Sequence, residues 1–88
     1  MSRAIWKYPL TGDTRVALEM PIGARVLAVQ MQGHLPCLWA LVDTSADVQR
    51  RTFRIFGTGH RFDLSPDAPH IGTFQDGPFV WHLFEATL

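Results

Sequence analysis

Apolar residues recur along this chain in short runs with a period of two, and glycines, prolines and polar clusters interrupt them at fairly even intervals. That rhythm belongs to strands, and it predicts about seven of them. The first covers residues 3–8 and stops at Pro9. The second, 14–20, sets Val16, Leu18 and Met20 against Arg15, Ala17 and Glu19, so one of its faces is buried. A turn through Pro21, Ile22 and Gly23 leads to 25–32, and a turn from Gly33 to Pro36 leads to 37–42, a pair that reads as a central hairpin. The run CLWALV in this fourth strand is apolar on both faces, which fits a strand covered on both sides better than a helix too short to stand alone.

In the fifth strand, 51–56, Phe53 and Ile55 share one face and Thr52, Arg54 and Phe56 the other. Gly57, Thr58, Gly59 and His60 break it, and 61–69 has prolines, acids and hydroxyls without periodicity: a loop with room for one helical turn. Residues 70–75, a turn at Asp76 and Gly77 before Pro78, and residues 79–85 form a second hairpin. The expected fold is a single all-β domain, a small antiparallel sandwich or barrel-like sheet.

Composition narrows the function classes. With 88 residues and 47% hydrophobic content the chain holds one real core and not two. Eight basic and eight acidic residues cancel, so no overall positive field draws in duplex nucleic acid. The single cysteine, Cys37, excludes an intramolecular disulfide, and no apolar run is long enough for a signal peptide or a membrane span, which together point to the cytoplasm. Many short strands, 18% charged residues and three tryptophans leave edges and apolar surface that self-association would cover, so a dimer or tetramer is expected.

No catalytic set emerges. The histidines at 34, 60, 70 and 82 lack the close spacing of metal ligands, and His82, between Trp81 and Leu83, reads as a hydrogen-bonded structural imidazole. Cys37 opens the most apolar strand and behaves as a small hydrophobe. Ser2, Ser45 and Ser65 sit in terminal or loop positions, Glu19 and Glu85 lie in separate strands, and Asp63 and Asp67 meet water. No metal, cofactor or enzymatic activity is expected. One stretch, RIFGTGH with the following arginine, does carry binding chemistry. Gly57 and Gly59 let the backbone approach a ligand, Thr58 offers a hydroxyl, and Arg54, His60 and Arg61 supply donors suited to phosphate. The same glycines would equally serve a plain turn. Trp6 and Tyr8 project from one face of the first strand with Lys7 on the other, an arrangement suited to stacking on a base beside a cation. For Trp39 and Trp81, core packing or an oligomer seam is the expected role.

The ordered series IWKYPL, MPIGARVLAVQ, LWALVD, RIFGTGH, IGTFQ and VWHLFEA resembles a family of small phage and prophage proteins and spans nearly the whole chain. That family is similar to phage anti-defence sponges of the anti-CBASS type, oligomers that sequester the cyclic nucleotide signals of bacterial immunity. The resemblance implies that the glycine-rich turn and basic side chains hold phosphates, that aromatic rings hold bases at a subunit interface, and that nothing is cleaved. The loop at 61–69 would then set which nucleotide fits. The alternative, from a different class, is a protein-interaction module that presents an aromatic patch or an open strand edge to a host or phage protein.

Overall fold

A computed structural model describes residues 2–11 and 13–86, and all seven of its elements are strands. In chain order they are β1 (Arg3–Pro9), β2 (Arg15–Pro21), β3 (Arg25–Gln32), β4 (Leu35–Asp43), β5 (Val48–Gly57), β6 (His70–Asp76) and β7 (Phe79–Ala86). The protein is all-β, and each strand lies where the alternation predicts it, with bounds that differ by at most three residues. Every pairing is antiparallel, giving one sheet in the order β1-β4-β3 and a second in the order β2-β5-β7-β6. Both expected hairpins form. In each, the first residue of the two-residue loop is a glycine at positive φ, Gly33 at 62° and Gly77 at 57°, as a type II′ turn requires. The stretch from 61 to 69 contains no helical turn; its one tight turn is closed by the Ala68 amide donating to Ser65 O at 3.0 Å.

Residues directly opposite on paired strands share a face, so the register sorts the side chains. Leu38, Ala40 and Val42 of β4 and Val29 of β3 look inward from the first sheet, toward Val16, Met20, Phe53, Ile55, Phe74 and Leu83 of the second. The thinnest dimension of the molecule is 18 Å, room for two sheets and one layer of side chains between them. The sandwich closes where β3 meets β6, and among the described residues the outer sides of the remaining edge strands, β1 and β2, pair with no strand.

On the reverse face of β4 the expectation of cover from both sides is not met by a second layer. Cys37 is buried, but Trp39 and Leu41 are only half-buried, shielded by side chains of the flanking strands. Lys7 Nζ donates to Gln32 Oε1 at 2.8 Å, joining β1 to β3 across the central strand. The apolar character of this face therefore reflects lateral packing on an outer surface, which leaves Ile5 on the neighbouring strand 61% exposed.

Candidate functional site

β5 ends at Gly57, and the next residues fold back across its end. Gly57 O accepts the His60 amide at 3.1 Å, closing a tight turn in which Gly59 supplies the positive φ, 84°. Gly57 serves differently. An added Cβ there would lie 2.8 Å from His60 Nδ1 and Cε1 and 3.2 Å from Trp81 Cζ3, so the missing side chain is what lets the imidazole lie against the backbone, edge-on to Trp81 at 6.5 Å. One glycine makes the turn and the other makes the close approach.

A chain of hydroxyls and imidazoles pins this turn to the neighbouring strands. Thr58 Oγ1 lies 2.7 Å from His82 Nε2, His82 Nδ1 lies 3.1 Å from Thr73 Oγ1, and Thr73 Oγ1 lies 3.2 Å from His70 Nε2. One proton arrangement satisfies every group: His70 donates to Thr73, Thr73 to His82 Nδ1, His82 Nε2–H to Thr58, and Thr58 to Val80 O at 3.4 Å. His82 is thus the hydrogen-bonded structural imidazole its position suggests. The amides of Thr58 and His60 are also committed, to Val80 O at 3.2 Å and to Gly57 O. What this turn has left to offer a ligand is consequently side chains more than a backbone cradle.

Arg54, His60 and Arg61 open on one cleft of about 400 Å³, walled by Thr14, Phe62 and Trp81, with no acidic residue among the described residues that line it. Its floor is aromatic. Arg54 Cζ sits 5.1 Å from the centroid of Phe56, Phe62 stacks on Phe56 at 3.8 Å with planes 12° apart, and Phe84 lies 5.5 Å from Phe62. A recess of about 350 Å³ continues from Thr58 and His60 to Phe79 and Trp81. The larger opening of about 450 Å³ that shares Trp81 carries Asp13 and Asp76, the wrong sign for an anionic ligand. Among the described residues, no three His, Cys, Asp or Glu side chains converge as metal ligands would.

A protein-family model described as a domain of unknown function, DUF7352, matches residues 1–88. The chain belongs to the DUF7352 family. No curated protein and no solved structure matches it. The function of this DUF7352 domain has therefore to be argued from its own side chains.

The DUF7352 fold brings together Arg54, Gly57, His60 and Arg61 in the cleft, with Thr58 and Gly59 in the adjoining turn. It does not bring Trp6, Lys7 and Tyr8 to them within one chain. Tyr8 faces the sandwich interior near Arg51, and Arg51 is six positions before Gly57 on β5, roughly 20 Å at strand rise. Lys7 points from the opposite face of its sheet and is tied to Gln32. Trp6 shares the inward side with Tyr8 but lies on an edge strand and stays 40% exposed. The wall residues Thr14, Phe62 and Trp81 escape sequence reasoning. Phe62 follows the basic run in an unperiodic loop, and Trp81 becomes a wall only because β7 lies between β5 and β6, which sets it opposite both Gly57 and Phe74. The alternation of β7 marks Trp81 as inward-facing, but no local signal gives that strand order.

Gly57→Ala should separate the two glycine roles. The methyl displaces the His60 ring while leaving the turn's positive φ to Gly59, so the expected result is a fold weakened by about 1–2 kcal/mol together with loss of the Trp81 ring-current shift on the His60 Cε1 proton. An unmoved His60 resonance in the proton–carbon NMR spectrum would contradict the close-approach role.

Proposed function

We propose that this DUF7352 protein binds a small phosphorylated ligand of the cyclic nucleotide class in the bacterial cytoplasm and lowers its free concentration without cleaving it, as a phage anti-defence sponge does. The observation that carries the reading is the acid-free cleft in which Arg54, His60 and Arg61 meet beside Trp81 and Phe62. Cations and ring N–H groups suit phosphate oxygens, and flat rings suit a base. Binding of this kind asks for no nucleophile and no metal. Thr58, Gly57 and Gly59 shape the turn that carries His60.

The expected assembly is a dimer or tetramer. Of the first strand's candidates, Trp6 is the ring free enough for a second copy to bring to the cleft, since Lys7 is engaged with Gln32 and the Tyr8 hydroxyl oxygen is buried. The test is calorimetric titration with cyclic dinucleotides, cyclic trinucleotides and cyclic ADP-ribose isomers, followed by heat release of the captured ligand. Tight binding with intact ligand recovered is expected, and Arg54→Ala or His60→Ala should weaken it roughly tenfold or more without loss of the fold. Absence of binding across the panel, or unchanged affinity in both variants, would sink the proposal.

A second reading, a protein-interaction module, is favoured by one observation: β1 is an edge strand whose outer side meets no other strand among the described residues, with Ile5 and Trp6 exposed on its two faces. A melting temperature indifferent to every nucleotide, with capture of a defined protein lost on Ile5→Lys, would select it.

A further inference from the structure

β5 carries three arginines, and their fates differ. Arg50 meets Glu19 at 3.3 Å and Arg51 meets Glu85 at 2.7 Å. Arg54 has no carboxylate partner among the described residues, and its Nε is buried without a hydrogen bond. Its direct cross-strand partner on β2 is another arginine, Arg15, which also lacks a carboxylate partner among the described residues. The Ile55 amide donates to Thr14 O at 2.8 Å, so residues 14 and 55 form a hydrogen-bonded pair and 15 and 54 form the next, non-hydrogen-bonded pair. In such a pair the Cα atoms approach to about 4.5 Å and the side chains are at their closest. Like charges set directly opposite on a sheet oppose folding. Among the described residues no carboxylate offsets them; the face of Phe56 beneath Arg54 is the one favourable contact of this charge.

The surroundings give the pair a direction. On its other side Arg54 is registered against Phe84, and Phe84 with Phe56 and Phe62 forms an aromatic cluster whose outer ring, Phe62, is 47% exposed. Arg61, adjacent to Phe62 in the chain, lines the same cleft as Arg54. Two facing cations beside an exposed flat ring match a phosphate group attached to a planar heterocycle, because a phosphate can take hydrogen bonds from both guanidinium groups and remove their mutual repulsion.

We infer that Arg15 is a ligand-binding residue and that the Arg15–Arg54 pair is the principal phosphate seat of the cleft, with Phe62 supporting the attached ring. The inference rests on the proposal that the Arg54 cleft holds a phosphorylated ligand, and it adds a residue from β2 to that site.

The test uses inorganic pyrophosphate as the probe, with binding followed by the arginine Nε–H resonances and by thermal shift on the intact chain, its Arg15→Gln, Arg54→Gln and Arg50→Gln variants. Pyrophosphate should raise the melting temperature of the natural protein and perturb Nε–H signals that vanish in the first two variants. Affinity should fall roughly tenfold or more in each of those and stay unchanged in Arg50→Gln. Without pyrophosphate, Arg15→Gln should melt no lower than the natural protein, since it relieves a repulsion, so a binding loss is not a folding loss. If Arg15→Gln binds normally while Arg54→Gln does not, the Arg15 assignment is overturned and the cleft stands. Failure of the natural protein to bind pyrophosphate, or normal binding by both variants, overturns the seat and the phosphate reading of the cleft together.

Discussion

Gly72→Val should lower stability by about 3 kcal/mol. Gly72 faces inward from β6, opposite Leu83, at the place where the second sheet closes on β3. A Cβ built there would lie 2.6 Å from Val29 Cγ1, a separation that real side chains do not tolerate. Val29 is buried and β-branched, so it has few rotamers into which to retreat. The backbone at Gly72 is not in the left-handed region, so the penalty is purely one of space. The adjoining bulge at Ile71 belongs to the same device: it shifts the register between His70 and Gly72 and sets a glycine against β3. In a domain of this size the melting temperature should drop by roughly 15 °C. The control is Val29→Ala. It opens space for the new side chain, so the Gly72→Val/Val29→Ala double variant should be less destabilised than the sum of the singles, with a coupling of about 1 kcal/mol or more. Strict additivity would show that β3 and β6 do not depend on this contact.

That closure marks the boundary of what the chain reveals locally. Most strand positions are legible from their own alternation and the turn residues beside them, and both hairpins are legible because Gly33 and Gly77 fall between two such runs, although the first turn is shorter than the span from Gly33 to Pro36 because Leu35 and Pro36 already pair in β4. The half-polar character of β5, with Arg54 and Phe56 opposed to Phe53 and Ile55, is legible for the same reason. What is not legible depends on which distant strands pair. The order β2-β5-β7-β6 puts Arg15 against Arg54 and Trp81 against Gly57, and it separates the Trp6 and Tyr8 strand from the basic turn. Residues of one motif along the chain can thus belong to different walls of the molecule. Glu19 and Glu85 illustrate the same limit. Read singly they are isolated acids in separate strands, yet each meets one of two consecutive arginines, on opposite faces of β5.

Of these two pairs, the one made by Glu85 should matter far more. The Arg50 and Glu19 side chains are both well exposed, and an ion pair in that setting contributes little. Arg51 and Glu85 are 16% and 18% exposed, and the contact is bidentate, Nε to Oε2 and Nη2 to Oε1, both 2.7 Å. Arg51 Nη1 also donates to Ala24 O at 2.6 Å, so the same guanidinium holds the β2–β3 connection. Glu85→Gln should destabilise by about 2 kcal/mol, less than for a fully buried pair because some solvent reaches both groups, and Glu85→Leu paired with Arg51→Leu should be less harmful than Glu85→Leu alone. The chain's one tyrosine offers a direct readout. Burial pushes the Tyr8 phenol above its ordinary value of 10, and the nearby Arg51 charge pulls against that rise. Because the folded phenol holds its proton more tightly than the unfolded one, stability is full below the ordinary tyrosine value and declines as pH rises past it. When Glu85 is neutralised, Arg51 acts on the phenolate without an opposing carboxylate, so the midpoint at 295 nm should move down as the melting temperature falls. A midpoint that stays in place while stability drops would mean that Arg51 follows the lost carboxylate outward to solvent, leaving the interior pair without its role in joining β2, β5 and β7.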